Sequence, residues 1–135
     1  MSDHLGFDFP AMTAQGNDTG LPEFYAMVMT PLPLPEAPSR SDEPSPLEVH
    51  YEYIHRLIEA GKVLLIGPCM QEVRRPGDAP VPPGIAILRV ASRAEADEIA
   101  HNEPFHTMGW RHNEVMAWTV KFGSLIPTLR DYLNS

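Results

Sequence analysis

The order of the apolar segments along this chain constrains its fold more than any other feature of the sequence. Short apolar runs of strand character occur four times, at Glu23–Thr30, Lys62–Val73, Ile85–Ala91 and Asn113–Phe122. Helical periodicity occupies the first and the last of the three intervals between them. A strand–helix–strand–strand–helix–strand order predicts an α+β protein of the ferredoxin-like βαββαβ type, in which two helices cover one face of a four-stranded antiparallel sheet.

Both predicted helices have recognisable start and stop signals. The first begins after Ser45, an N-cap residue followed by a proline at the first helical position, and ends near Ala60, before Gly61. The second begins after Ser92 and is limited by Pro104. Apolar residues at spacings of three and four predict one buried stripe on the first helix, formed by Leu47, Tyr51, Ile54 and Ile58.

The sheet face opposite the two helices needs a cover of its own. Strands such as Ile85–Ala91 are apolar on both faces, and a large apolar sheet face left in water is an association surface. We therefore expect a homodimer in which two sheets meet face to face and form a dimeric α/β-barrel.

One domain accounts for most of the chain, because 135 residues are too few for two well-packed cores. The sequence predicts an N-terminal extension over residues 1–20, an α+β domain over 21–123 and a C-terminal segment over 124–135 that includes a short helix. The connection Pro31–Pro46 has six prolines in sixteen residues, which predicts a long surface loop that covers a site or contacts another protein.

The composition argues against several classes of function. A formal net charge of −8 opposes the clustered basic surface that nucleic acids and anionic membranes attract. The single cysteine, Cys69, cannot form an internal disulfide and is predicted to be a buried or half-buried structural thiol. No stretch resembles a signal peptide, and no apolar run approaches the ~20 residues of a bilayer-spanning helix. We expect a cytoplasmic protein that binds neither nucleic acid nor membrane.

Two ionisable residues interrupt the predicted inward faces of the helices. His50 lies on the flank of the apolar stripe of the first helix, and Glu103 continues the inward face that Ala96, Ile99 and Ala100 form on the second. Because both helices lie side by side in a βαββαβ fold, the two side chains are positioned to meet. A carboxylate paired with an imidazole fixes the tautomer that a general base requires. The alternative is a histidine satisfied within the core and a glutamate solvated at the helix end.

Two longer stretches resemble a known family. HYEYIHRLIEAGKVLLIGP is similar to a pattern of a histidine, a helix, a glycine, a short apolar strand and Gly-Pro. GIAILRVASRAEADEIAHNEPFHTMGW is similar to a strand followed by a Ser-x-x-Glu-Ala-type helix, an Asp-Pro-aromatic element and a glycine. The pattern is that of the YCII-related family, and the resemblance covers about Phe24 to Val120. It implies a dimeric α/β-barrel whose candidate active site contains a histidine, here His50, and an aspartate, here replaced by Glu103.

The resemblance also implies a range of activities. A few members of the family are implicated in the dehydrochlorination of aromatic ring compounds, and the wider superfamily includes muconolactone isomerases, cofactor-free monooxygenases and binding proteins. We therefore expect a lyase or isomerase that acts on a small cyclic molecule without a cofactor, with His50 as the general base and Glu103 as its partner. The alternatives are a small-molecule binding or stress-related protein, and a protein-interaction module.

Further residues are assigned to the surroundings of His50. Four are expected to bind the substrate, namely Tyr51, Gly67, Pro68 and Phe105. Trp110 and Trp118 are candidates either for an apolar pocket or for ordinary packing. Arg74 and Arg75 lie beside a turn and are candidates either to bind an anionic substrate or to form a solvated edge. No metal site is predicted, because the spacing of the nearby histidines does not reproduce a ligand motif; they are His101, His106 and His112.

Overall fold

The computed structural model describes residues 19–33, 45–70 and 81–135. Within these ranges lie four strands and four helices. In chain order they are β1 (Phe24–Pro31), α1 (Pro46–Glu59), β2 (Val63–Pro68), β3 (Gly84–Leu88), α2 (Arg93–Asn102), α3 (Pro104–Thr107), β4 (Arg111–Trp118) and α4 (Ile126–Leu133). Most of the predicted N-terminal extension and proline-rich loop lies outside the described residues, as do Arg74, Arg75 and the end of the predicted second strand.

The four strands form one antiparallel sheet in the order β2–β3–β1–β4. β3 pairs antiparallel with both β1 and β2, which places Val28 opposite Ile85 and Ile66 opposite Ala86. Each long helix therefore connects two strands that are not neighbours in the sheet. This is the ferredoxin-like arrangement, and the predicted α+β fold class is confirmed.

One face of the sheet carries the hydrophobic core. Apolar side chains alternate along the strands and meet the buried face of α2, where the predicted inward residues are indeed buried. The buried members of the core are Met27 and Met29 of β1, Val63 of β2, Ala86 and Leu88 of β3, Val115 of β4, and Ala96, Ile99 and Ala100 of α2.

Helix α1 begins and ends where the sequence predicts. The hydroxyl of Ser45 accepts a hydrogen bond from the amide of Glu48 at 3.2 Å, and Pro46 takes the first helical position. Gly61 follows the helix with a φ of 74°, a left-handed conformation that glycine adopts without strain.

The face that α1 buries differs from the predicted stripe. The buried residues are His50 and Ile54, whereas Leu47, Tyr51 and Ile58 are 48%, 54% and 44% exposed. Of the predicted stripe only Ile54 is buried, because the inward line of the helix runs through His50. Periodicity cannot distinguish apolar residues that pack in a core from apolar residues that face open space.

The region after α2 contains one turn of helix that was not predicted from the sequence. Pro104 ends α2 as predicted and also occupies the first position of α3. After Gly109, whose φ is 78°, strand β4 begins at Arg111 and ends at Trp118. The strand thus begins and ends earlier than predicted, which brings Arg111 into it.

Residues 25–117 form one compact unit, which contains most of the sheet together with α1, α2 and α3. The described residues outside that unit, 19–24 and 118–135, include α4, in which no residue is buried. In the described part of the chain, every helix lacks the length or the hydrophobicity needed to cross a bilayer.

Candidate active site

Glu103 lies at the junction of α2 and α3, and none of its surface is exposed. Because a proline follows it, its backbone is extended, with φ −66° and ψ 130°, and α2 cannot continue through it. Its side chain caps α3 instead, since Oε2 accepts a hydrogen bond from the amide of Phe105 at 2.7 Å. The inward direction of the carboxylate is therefore fixed by the start of the next helix.

Both carboxylate oxygens of Glu103 have hydrogen-bond donors. Oε2 lies 2.8 Å from Nδ1 of His50, and Oε1 accepts a hydrogen bond from the side-chain amide of Asn113 at 3.2 Å. Asn113 is fully buried and also donates to the carbonyl of Ala100 at 2.9 Å. Burial opposes the charge on Glu103, but the hydrogen bonds from His50, Phe105 and Asn113 outweigh it and hold the pKa of this carboxyl below its ordinary value.

The ionised state of Glu103 determines the tautomer of His50. A carboxylate only accepts hydrogen bonds, so Nδ1 of His50 is the donor in the 2.8 Å contact. In the neutral imidazole the lone pair then lies on Nε2, which has no hydrogen-bond partner among the described residues. One nitrogen of the ring is thus held by Glu103, and the other makes no hydrogen bond within the described ranges.

Phe105 packs flat against the imidazole of His50. The ring centroids are 4.2 Å apart and the interplanar angle is 9°. Trp110 stacks on Phe105 with the centroids 5.4 Å apart. The amide of Phe105 is bound by Glu103, so the same short helix that the carboxylate caps also orients the ring that supports the histidine.

His50 lines a pocket of about 350 Å³, large enough for a small organic molecule. Apolar side chains make up most of its wall. The lining residues are Met29, Leu47, His50, Tyr51, Ile54, Ile66, Gly67, Pro68, Met70, Val81, Pro82, Phe105 and Arg111. The pocket also explains why part of the apolar face of α1 is not buried in the core, because Leu47 and Tyr51 line this space.

The residues predicted to bind the substrate lie together in this wall. They are Tyr51, Gly67, Pro68 and Phe105. Glu103 contacts His50 but does not line the pocket, and neither does Trp110 or Trp118 within the described ranges. The catalytic and substrate-binding roles of these residues stay predictions.

Arg111 also lines the pocket, although it was not among the predicted site residues. This side chain is 5% exposed; its Nε and Nη2 donate to the carbonyl of Pro82 at 3.0 and 2.7 Å, and Nη1 contacts the sulfur of Met29 at 3.5 Å. Burial lowers the pKa of Arg111 and the charge of Glu103 opposes that effect, but a guanidinium stays protonated at physiological pH. No carboxylate in the described ranges lies within ion-pair distance of it.

A signal for Arg111 and Asn113 was present in the sequence. Arg111, Asn113 and Val115 are separated by steps of two residues. Because side chains alternate between the two faces of a strand, all three lie on the core side of the last strand. A strand predicted to begin at Asn113 hides this pattern. Polar residues at successive inward positions of a strand indicate a buried network or a binding site.

Three histidines beside α3 form a separate group. The rings of His101 and His106 are 5.2 Å apart, and those of His106 and His112 are 5.6 Å apart. Nδ1 of His106 accepts a hydrogen bond from the backbone amide of Asn113 at 3.1 Å. Burial, followed by the neighbouring His101 and His112, lowers the pKa of His106. In the described part of the chain, no three His, Cys, Asp or Glu side chains are arranged to hold a metal ion.

Cys69 is exposed, so the prediction of a buried or half-buried thiol is wrong. β2 ends at Pro68, which has no amide proton to continue the strand pairing. The amide of Cys69 donates to the carbonyl of Pro83 at 2.8 Å, but its side chain lies beyond the sheet and faces solvent.

Comparison with known proteins gives both a family and a structural neighbour. The pattern of the YCII-related domain matches residues 24–119. No curated protein sequence matches the chain significantly. One similar solved structure is 5-chloro-2-hydroxyhydroquinone dehydrochlorinase from Burkholderia phenoliruptrix in complex with 2,5-dihydroxybenzoquinone, with 20% sequence identity and a TM-score of 0.44. That match covers 70% of this chain and 92% of the other.

Proposed function

The chain belongs to the YCII-related family, and on this premise we propose that it abstracts a proton from a small cyclic or carbonyl-bearing molecule, in a lyase or isomerase reaction of the dehydrochlorinase kind. His50 is the general base, and Glu103 orients it. Nε2 takes a proton from carbon, and the C–H electron pair enters the adjacent π system. That pair then either accepts a proton at another position or expels a leaving group as an anion. Proton transfer of this kind needs no cofactor.

The contact between His50 and the buried, ionised Glu103 carries this proposal. The 2.8 Å hydrogen bond holds Nδ1, and the stacking on Phe105 holds the plane of the ring. A base held in one orientation beside a pocket avoids much of the reorganisation that proton transfer requires in water. Although glutamate is one methylene longer than the aspartate of the family pattern, its carboxylate still reaches Nδ1.

A protein that binds a small molecule without turnover is the second candidate. The apolar wall of the 350 Å³ pocket favours it, because burial of apolar surface is sufficient for binding. A role as a protein-interaction module would involve the N-terminal extension and the proline-rich loop, most of which lies outside the described residues.

Hydrogen–deuterium exchange tests the proposal before the natural substrate is known. The protein is incubated in D₂O with cyclic ketones, β-keto acids and hydroxylated quinones, and the loss of carbon-bound protons is followed by ¹H NMR. We expect catalysed exchange in at least one of these classes. His50→Gln is expected to lower the rate by roughly 10²–10⁴-fold, the usual contribution of a general base.

His55→Gln is the matched control, because His55 lies on the same helix and is exposed. It is expected to leave the exchange rate unchanged. Exchange that persists at the wild-type rate in His50→Gln would contradict the assigned base. Binding of these compounds without exchange in any class would support the non-catalytic candidate.

We also propose that two copies associate through the sheet face that points away from the core. Leu65, Ile85 and Met116 are 70%, 48% and 53% exposed. The strand register places Val28 opposite Ile85 and Leu65 opposite Ile87, so the side chains of these two pairs form one apolar surface across β1, β3 and β2. A contiguous apolar surface of this kind is typical of subunit association.

Sedimentation velocity tests the association. Ile85→Glu is expected to convert a wild-type dimer into a monomer, because a carboxylate in a closed apolar interface loses its hydration. Ile58→Glu is the control, since Ile58 is similarly exposed, at 44%, but lies on α1. A monomeric wild type at micromolar concentration, or a dimer that Ile85→Glu leaves intact, would contradict this interface.

A further inference from the structure

We infer that Arg111 binds an anionic oxygen of the ligand, so that the pocket beside His50 takes small, flat molecules that carry a carboxylate or an enolate- or phenolate-type oxygen. The inference rests on the proposed function in one respect, namely that the ligand lies beside His50. Arg111 is the one permanently charged side chain in the described wall of this pocket.

The hydrogen bonding of the guanidinium leaves part of its donor capacity unused. A guanidinium has five N–H groups. In the described ranges, three donor contacts are made, two to the carbonyl of Pro82 and one to the sulfur of Met29. A carbonyl and a thioether carry no charge, and sulfur is a weak acceptor. A buried cation with such partners attracts an anion more strongly than a solvated arginine, because little water remains to screen its charge.

Arg111 and His50 lie within reach of one small molecule. Both contact the ring of Phe105: the imidazole centroid is 4.2 Å from the ring centroid, and Cζ of Arg111 is 5.2 Å from it. The imidazole and the guanidinium therefore cannot be farther apart than these two distances together. A single substituted six-membered ring bridges such a separation, with a carbon atom beside the base and an oxygen at the cation.

Gly84, at the start of β3, leaves room for the side chain of Met29, which contacts the guanidinium. A Cβ at this position would lie 2.7 Å from Cε of Met29 and 3.4 Å from Nη2 of Arg111. The φ of this glycine is not in the left-handed region, so its role is to leave room rather than to permit a turn. The guanidinium is thus held by the carbonyl of Pro82 and by Met29 of β1, close to the start of β3.

The rest of the wall limits what accompanies the anionic group. Apart from His50 and Arg111, the lining consists almost entirely of apolar side chains, glycine and proline. Such a wall accommodates a hydrocarbon ring and disfavours a second charge, because a buried charge without a partner is strongly penalised. The ligand class is therefore a flat monoanion.

Paired probes that differ in charge test this inference. Isothermal titration calorimetry at pH 8.5 measures benzoate against benzamide, and 4-nitrophenolate against 4-nitroanisole, so that the two arms separate carboxylates from phenolates. We expect the wild type to bind at least one anion about tenfold more tightly than its neutral counterpart. Arg111→Met is expected to abolish that preference, and Arg111→Lys to retain part of it. Arg89→Met, at an exposed arginine, is the control and is expected to keep the wild-type preference.

The outcomes separate this inference from the proposed function. Equal affinity for the charged and the neutral member of both pairs, or a preference that survives in Arg111→Met, would overturn the role of Arg111. The retained charge of Arg111→Lys distinguishes loss of the anion site from loss of the fold. His50→Gln is expected to keep the anion preference although it lowers the rate of deuterium exchange. A preference for anions without exchange in the wild type would sustain the anion site and contradict the general base.

Discussion

Glu103 and Arg111 are buried charges beside the same phenylalanine, Phe105, yet their surroundings are opposite. Glu103 is 0% exposed and accepts hydrogen bonds from His50, from the amide of Phe105 and from Asn113. Arg111 is 5% exposed and, within the described ranges, donates only to a carbonyl oxygen and a sulfur. The carboxylate of Glu103 is saturated by protein donors, whereas the guanidinium of Arg111 keeps N–H donors available.

The difference separates two uses of a buried charge. A saturated carboxylate fixes the residues around it, so Glu103 joins α1, α3 and β4 through three side chains or amides. An incompletely paired cation contributes little to holding the fold and retains its attraction for a ligand. Substitutions that remove each charge are therefore expected to act on different properties, stability for Glu103 and binding for Arg111.

The largest effect on stability is expected from Glu103→Gln. The amide group has the shape of the carboxylate but turns a donor toward one of three existing donors, so at least one buried group loses its acceptor. We expect the free energy of unfolding to fall by about 3 kcal/mol at pH 7, measured by urea denaturation. The control is Glu98→Gln on the exposed side of α2, for which no more than about 0.5 kcal/mol is expected.

The same variant has a pH signature. The hydrogen bonds lower the pKa of Glu103 in the folded protein, so its contribution to stability is present above the unfolded value of about 4.3 and is lost as the pH falls through the folded value. The difference between wild type and Glu103→Gln should therefore shrink in acid. A difference that stays constant down to the acid transition would show that the loss arises from packing rather than from charge.

A smaller effect is expected from Asn113→Asp, which tests whether Glu103 is saturated by its donors. The substitution replaces an amide donor, 3.2 Å from Oε1, by a second carboxylate of almost the same shape. We expect a loss of about 2 kcal/mol at pH 7, because two buried like charges repel and the hydrogen bonds from Asn113 to Glu103 and to the carbonyl of Ala100 are removed. Denaturation at pH 5 should show a smaller loss, since the pair can then share a proton. Equal losses at both pH values would contradict the repulsion.

Arg111→Met is expected to change stability least among these buried sites. It removes a charge that lacks a carboxylate partner in the described ranges and fills the space with an apolar side chain, while the carbonyl of Pro82 loses its donors. These effects oppose one another, so the free energy of unfolding should change by no more than about 1 kcal/mol. A loss comparable with that of Glu103→Gln would show that Arg111 also serves the fold.

Much of the fold could be predicted because its signals are local. Ser45, Pro46 and Gly61 mark the ends of α1, and the order of strands and helices leaves few topologies. Periodicity could not predict which face of α1 is buried, since Leu47 and Tyr51 are as apolar as core residues but line a pocket. A pocket is apolar for its ligand, and the sequence pattern does not distinguish that use from packing.

Half of the site could be predicted for a related reason. His50 and Glu103 are polar residues at inward positions of helices, where they depart from a long apolar pattern. Arg111 and Asn113 are equally inward, but they lie where β4 begins, and the boundary of a strand is the least regular part of its pattern. Their partners, the carbonyl of Pro82 and the carboxylate of Glu103, come from distant positions that only the folded chain brings together.

The smallest effect is expected from His106, which is linked to the saturated side of the site through Asn113. Its Nδ1 accepts the backbone amide of Asn113, and burial together with His101 and His112 lowers its pKa. The unfolded chain therefore binds a proton more readily than the folded protein does. The contribution of neutral His106 to stability is present above the unfolded pKa of about 6.5 and is lost as the pH falls through the folded pKa.

His106→Gln, whose side-chain carbonyl can accept the same amide, should remove that loss of stability, a change of less than about 1 kcal/mol between pH 7.5 and pH 5. Urea denaturation at both pH values measures it, with His55→Gln as the exposed control. An unchanged pH dependence in His106→Gln would show that another group binds the proton. It would also contradict a link between the protonation of His106 and the stability of the Glu103 network.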